Sequence, residues 1–243
     1  MTILLRKGGL TARLSRDPSD MAAAQALRGR CFKGSAAPDC DDLDTACLHL
    51  LIETDARDLV CCFRLMRMDA QGISASYSAR FYELSALESF EGPMVEMGRF
   101  CVDPEYSANP DVLRLAWGAM TSFVDREGVK LLFGCASFRG TDEQRYLDSF
   151  AMLKERHLAP KRWLPRVKAP NVFRFAAKLR RTPDPKRALR EMPPLLRTYL
   201  MMGGWVSDHA VVDAEMDTLH VFTGLEIAAI PAARKRLLRA VAG

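Results

Sequence analysis

Residues 95–102 read Val-Glu-Met-Gly-Arg-Phe-Cys-Val, so Glu96 and Arg99 stand three apart inside an otherwise apolar, strand-like run. A charge in a half-buried strand is costly unless it is paired, so the two are kept either for structure or for chemistry. Ionisable groups with perturbed pKa values cluster at functional sites, so the pair marks a candidate site. Other residues extend the pattern. Arg28 and Phe32 are four apart on one helical face, Asp41 and Asp44 follow in a polar segment, and Arg64 sits mid-strand in Cys-Phe-Arg-Leu. Each alone reads as a surface, cap or ion-pair residue; three arginines and three carboxylates (Glu96 included) at element ends or inside apolar runs can converge as a compensated network around a cleft.

The elements that must position these residues are legible in the periodicity. Ser19 is the expected N-cap of a helix over 20–30, with Met21, Ala24, Leu27 and Cys31 at helical spacing. Strands are expected over 47–53 and 59–68, joined as an antiparallel hairpin by the polar stretch 54–58. After the strand of Glu96, Asp103-Pro104 is a break, and 110–127 forms an amphipathic helix that Gly128 ends. A buried strand over 129–137, a helix over 142–157 and a strand over 172–177 then give β-α-β-α-β across 95–177, an α/β sheet with mixed strand directions. Beyond prolines 183, 185, 193 and 194 come a helix-like stretch, 195–202, Gly203-Gly204, and strand-like pieces at 210–212 and 218–222.

Composition narrows the classes. At 243 residues and 49% hydrophobic content the chain can bury a full core, as one large domain or one domain with an extension. It has no run of about 18 apolar residues, and residues 1–16 lack a secretory pattern, which reads as a soluble intracellular protein. Seven cysteines form no Cys-x-x-Cys, adjacent Cys61 and Cys62 point to opposite faces of a strand, and His49, His157, His209 and His220 lack zinc-like spacing, so no metal site is expected. The formal charge of +5 conceals an asymmetry: residues 154–190 hold thirteen Lys and Arg against Glu155 and Asp184, a local +11 that leaves −6 elsewhere. Such a face is either merely solvated or visited by an acidic protein, an anionic membrane or nucleic acid, the last ranking lowest because no binding motif accompanies the charge.

The layout Leu-Arg-x-x-x-Phe, Asp-x-x-Asp, Cys-x-Arg-Leu and Glu-x-x-Arg-Phe resembles acyl-homoserine-lactone synthases, which are Gcn5-related acyltransferases. A closer likeness runs through Met97 to Pro104, Phe133 to Phe138, and the tail from Pro193-Pro194 to Trp205 and Asp208. It covers about residues 20–225 and is to the L-ornithine N-alpha-acyltransferases of bacterial ornithine lipid synthesis. Two departures bear on the choice. Lactone synthases carry a tryptophan a few residues after the helix-1 phenylalanine, where this chain has Pro38 six after Phe32, and the proline-rich tail is an addition. Coenzyme A enzymes of the fold usually cradle the pyrophosphate on a glycine-rich turn, whereas residues 105–110 read Glu-Tyr-Ser-Ala-Asn-Pro.

The resemblance implies a Gcn5-related N-acyltransferase (GNAT) fold, with a mostly antiparallel central sheet flanked by helices. The core is expected over 1–180, and 181–243 as an extension completing the same domain. It implies transfer of a (3-hydroxy)fatty acyl group from acyl carrier protein to the α-amino group of L-ornithine, with acyl-phosphopantetheine as donor substrate and no bound cofactor. Glu96 is then the base, Arg28, Arg64 and Arg99 bind the amino acid carboxylate, Asp41 or Asp44 takes the side-chain ammonium, and Phe32, Cys101 and Ser137 complete the substrate site. Lys154, Lys161, Arg162, Arg166 and Lys168 are the expected carrier-docking residues, and the enzyme is expected in the bacterial cytoplasm, peripheral at the inner membrane face. Competing readings are acylation of another amino acid such as glutamine, lactone synthesis, a covalent route through Cys101 or Cys135, and a membrane-associating, haemolysin-like protein suggested by the basic segment and the amphipathic end 232–241.

Overall fold

The computed structural model describes residues 2–242. A hairpin comes first, β1 (Thr2–Lys7) and β2 (Leu10–Ser15), then helix α1 (Pro18–Lys33) and a second hairpin, β3 (Leu48–Thr54) and β4 (Leu59–Met68). The short β5 (Tyr82–Glu83), strand β6 (Met94–Val102), helix α2 (Pro110–Glu127), strand β7 (Leu131–Arg139) and helix α3 (Leu147–Arg156) follow. Next are β8 (Arg166–Val167), β9 (Val172–Phe173), and helices α4 (Phe175–Lys178), α5 (Pro185–Glu191) and α6 (Pro194–Met201). Strands β10 (Trp205–Val206), β11 (Ala210–Asp213) and β12 (Thr218–Glu226) and helix α7 (Ala232–Ala242) complete the order.

The chain forms two compact units, one built from the segment up to Arg67, Val95–Val129 and the residues from Ala232 onward, the other from Met68–Met94 and Lys130–Pro231. The division expected at residue 180 falls inside the second of these. In the first, strands run in the order β1-β2-β3-β4-β6, with the β1/β2, β2/β3 and β3/β4 pairs antiparallel. Ala24 and Leu27 of α1 close one sheet face against Leu51, Cys62 and Cys101. Helix α2 packs against β1, β2 and β3, and α7 packs on α2. In the second unit β7-β12-β11-β9 form an antiparallel sheet with β10 also on β12. An aromatic core of Phe138, Phe150, Phe173 and Phe175 lies beside a second cluster around Tyr82, Phe133, Trp205 and Phe222.

Several local expectations change. Asp17, not Ser19, caps α1, because Pro18 starts the helix and the Asp17 carboxylate accepts the Ser19 N–H at 2.8 Å. The helix expected from 142 opens as a 3-10 turn over Glu143–Tyr146, and the strand expected over 172–177 stops at Phe173 and gives way to α4. The hairpin of β1 and β2 and helix α5 carry too little apolar periodicity to be legible in the sequence. Helix α2 ends as read, with Gly128 left-handed at φ 63°.

Gly29 of α1 is fixed by a close approach of backbone. A Cβ there would stand 2.0 Å from the Ala37 carbonyl oxygen, so only glycine lets the 35–39 segment lie on the helix, where the Asp39 N–H reaches the Gln25 carbonyl at 3.0 Å. Gly29→Ala therefore costs about 1–3 kcal/mol by overpacking. Urea unfolding should show that loss, whereas Ala22→Gly on the exposed side of α1 costs about 1 kcal/mol.

Candidate active site

The charged residues of the first unit meet on the sheet face that α1 covers. Arg28 is 1% exposed, and its Nε donates to Asp39 Oδ2 at 2.9 Å while Nη1 donates to Asp44 Oδ1 at 2.6 Å. Its Nη2 bridges Asp44 Oδ2 and the Asp39 carbonyl oxygen. Arg64 Nη1 spans Asp41 Oδ1 and, at 2.9 Å, Asp44 Oδ1. Arg99 donates from Nε to Asp39 Oδ2 at 3.0 Å and from Nη2 to Asp41 Oδ2 at 3.3 Å. Three guanidinium groups thus face three carboxylates, with Gln25 Nε2 on Asp44 at 2.8 Å and Lys33 Nζ 3.7 Å from Asp39. His49, paired with Arg64 across β3 and β4, contacts the Asp44 carbonyl through Nε2 at 2.9 Å.

Asp39 is the hub that sequence reading missed. It lies in a loop with no periodicity, and its sequence signals are the run Asp39-x-Asp41-x-x-Asp44 and the small residue at Gly29. Arg28, expected on the amino acid carboxylate, is enclosed by Asp39 and Asp44. Burial alone would raise the Asp44 carboxyl, but hydrogen bonds from Arg28 and Gln25 hold it well below the usual carboxylate range. Asp41 is held low against the same burial, chiefly by Arg64.

Strand β6 departs from a regular strand at Arg99. In a regular strand residues three apart point to opposite faces, so Glu96 and Arg99 would diverge. Arg99 instead has a left-handed backbone, φ 54°, inside the strand. Gly98 lies against Arg64, where a Cβ would stand 3.5 Å from Nε, and Cys101 Sγ is 3.5 Å from Cys62 Sγ, although 98 and 101 also differ by an odd number. Cys62 and Arg64 are two apart on β4, so both contacts lie on one face, and β6 carries an extra residue between them, a β-bulge. Alternation back from Gly98 places Glu96, 4% exposed, on that same face.

The remaining expected residues divide. Phe32 packs half-buried against the cluster that contains Cys101. A hydrogen bond from Cys31 lowers the Cys101 thiol, yet the contact with Cys62 and burial outweigh it and leave the thiol well above its ordinary range, the opposite of what a nucleophile requires. Ser137 belongs to the second unit, exposed on β7 in register with His220. Lys154 is turned inward, its Nζ donating to the Leu179 carbonyl at 2.6 Å, whereas Lys161, Arg162, Arg166 and Lys168 are exposed along one short stretch of the second unit. The turn before α2 offers an anion little: Pro110 has no N–H, Asn109 Oδ1 already accepts the Asp111 N–H at 3.0 Å, and Glu105 and Asp111 add negative charge. Among the described residues no group of His, Cys, Asp or Glu is arranged to hold a metal ion, and no helix is long and apolar enough to cross a membrane.

The network sets the stability of this unit and its dependence on pH. Arg28→Met leaves Asp39 and Asp44 buried without their main partner and costs about 3–5 kcal/mol, read as a lower urea midpoint. Because Asp41 and Asp44 are depressed in the folded chain, their stabilisation is complete above the unfolded carboxyl value, about pH 4, and is lost as the pH falls through the folded values. Urea midpoints should begin to fall below about pH 6.5, where the unfolded chain protonates His49, His157 and His220 ahead of the folded one, and fall further below about pH 4, where an Asp44→Asn variant should fall less steeply.

Residues 27–117 match a family model described as an acetyltransferase (GNAT) domain. The L-ornithine N(alpha)-acyltransferase of Rhodobacter capsulatus is 33% identical over 227 residues, covering 86% of each chain. That of Rhizobium meliloti is 32% identical over 249 residues, covering 94% of this chain and 83% of its own. The solved structure of a CoA-dependent acyl-homoserine lactone synthase, BjaI, with SAM and isopentyl-CoA superposes with a TM-score of 0.50 at 11% identity over 93% of this chain and 83% of its own, a likeness of fold. Identity at the level of the Rhodobacter relative, spread over most of both chains, makes this chain a member of the L-ornithine N(alpha)-acyltransferase family, an acyltransferase with the GNAT fold.

Proposed function

We propose that the chain transfers a fatty acyl group, 3-hydroxylated as in ornithine lipid synthesis, from acyl carrier protein to the α-amino group of L-ornithine. The carrying observation is the bulge in β6, which turns Glu96 and Arg99 onto one face beside the Asp/Arg network. Within that network exposure selects the substrate contacts. Arg28, Arg64, Asp39 and Asp44 have side chains no more than 4% exposed, whereas Arg99 and Asp41 are each 13% exposed. Arg99 therefore takes the amino acid carboxylate and Asp41 the side-chain ammonium, with the other four as their support.

The reaction is a direct aminolysis of the thioester. Glu96, itself 4% exposed, accepts a proton from the α-ammonium through an intervening water, the freed nitrogen attacks the thioester carbonyl carbon, and backbone N–H groups at the bulge hold the oxyanion. Collapse breaks the C–S bond, the pantetheine thiolate leaves, and the proton still carried by the nitrogen neutralises it. A donor without a nucleotide agrees with the acidic, self-capped start of α2, and exposed Lys161, Arg162, Arg166 and Lys168 suit an acidic carrier protein.

Purified protein given acyl carrier protein thioester and L-ornithine should form N-acylornithine by mass spectrometry. Glu96→Gln should lower kcat about 10²–10⁴-fold with little change in the ornithine KM. Absence of any acylated amino acid would overturn the reading, and near-normal turnover in the variant would remove Glu96 as the base.

A further inference from the structure

Helix α7 carries Arg234, Lys235, Arg236 and Arg239 and no acid, and it lies on α2 of the first unit. Two contacts fix which way it faces. Arg239 is tied to Asp125 of α2 at 3.0 and 3.2 Å, and Lys235 and Leu238 are half-buried. Ala233, Arg236, Leu237 and Ala240 therefore look outward, with Arg234 at their margin, all exposed. Leu237 is 60% exposed, the most exposed large apolar side chain among the described residues. An outward face of one large apolar residue and alanines, bordered by arginines whose long stems can lie along an apolar surface while their heads stay wet, is the pattern of an interfacial helix.

The edge strand β1 repeats the pattern. It also packs against α2, and it exposes Ile3, at 41%, on the same strand as Arg6 and Lys7. Among the described residues Arg6, Lys7 and Arg57 form no ion pair, and they border a groove at the hairpin ends that Glu53 and Asp55 also line. Four cations of the second unit are differently used: Lys154 and Lys168, the latter exposed, donate to backbone carbonyls, and Arg181 and Arg187 both reach buried Asp148.

We infer that the outward face of α7 is a docking surface for an anionic lipid bilayer, with Leu237 entering the headgroup boundary and Arg234 and Arg236 meeting lipid phosphates. Charge complementarity selects this occupant, since the outward face carries Arg234 and Arg236 and no acid and would repel the same face of a second copy. The inference stands on the helix itself, and the proposed reaction would explain its use, because the product is an amphiphile that must enter a membrane.

Cosedimentation with vesicles decides it, and no acyl donor or amino acid is present, so failure here is distinguishable from failure of the proposed reaction in the mass-spectrometric assay. The full chain should bind vesicles of phosphatidylcholine and phosphatidylglycerol in a salt-sensitive way, and bind phosphatidylcholine alone weakly. Arg234→Glu with Arg236→Glu should lower the partition coefficient about tenfold or more. Leu237→Ser should lower it by a smaller factor without altering the melting profile, since the side chain is exposed. Equal binding by the parent and both variants would overturn the inference. Loss of self-association in Leu237→Ser with vesicle binding unchanged would overturn it too, by making the face a contact between copies of the chain.

Discussion

Everything in the first unit depends on burying three guanidinium groups against three carboxylates. Each ion removed from water costs several kcal/mol, which close mutual attraction offsets only when every hydrogen-bonding position is filled. Arg28 meets that condition through Asp39 and Asp44, and Asp44 is filled in turn by Arg28, Arg64 and Gln25. The network joins α1, the 39–44 loop, β4 and β6, so it fixes those elements relative to one another more closely than apolar packing would. Its gain is position: Arg99 and Asp41, the more exposed members, are held in one orientation by their partners.

The bulge in β6 is the second constraint, and it is inseparable from the first. A left-handed arginine costs roughly 1–2 kcal/mol, and it persists because Asp39 and Asp41 hold the guanidinium. The hydrogen bonds sustain the kink, and the kink puts Arg99 where those bonds form. Behind both, Gly29 lets the loop bearing Asp39 lie directly on α1, so a missing side chain helps to set the electrostatics of the site.

The thiols nearby have a quieter role. Cys62 and Cys101 pack with Ala24, Leu27 and Leu51 as small apolar residues, and burial and the contact with Cys62 raise the Cys101 thiol. In the second unit, burial lowers His220 to about pKa 4, so it sits neutral against Tyr82, whose hydroxyl donates to the His220 carbonyl at 2.7 Å. Those groups serve the aromatic core.

By itself the sequence determined the long elements and the set of residues with a reason to be charged. Strand β4 and helix α2 stand where hydrophobic period and Gly128 place them, because these signals are local and strong. Arg28, Asp41, Asp44, Arg64 and Arg99 could be selected because a charge in an apolar run or at an element end is conspicuous in one dimension. Their division of labour could not. Asp39 looks like any loop acid until Gly29 brings it onto α1, Arg28 looks available until its neighbours enclose it, and Lys154 looks like a surface cation until it meets Leu179. Only the tertiary structure decided that Glu96 and Arg99 share a face, because an odd spacing in a strand separates two side chains and one left-handed residue reunites them.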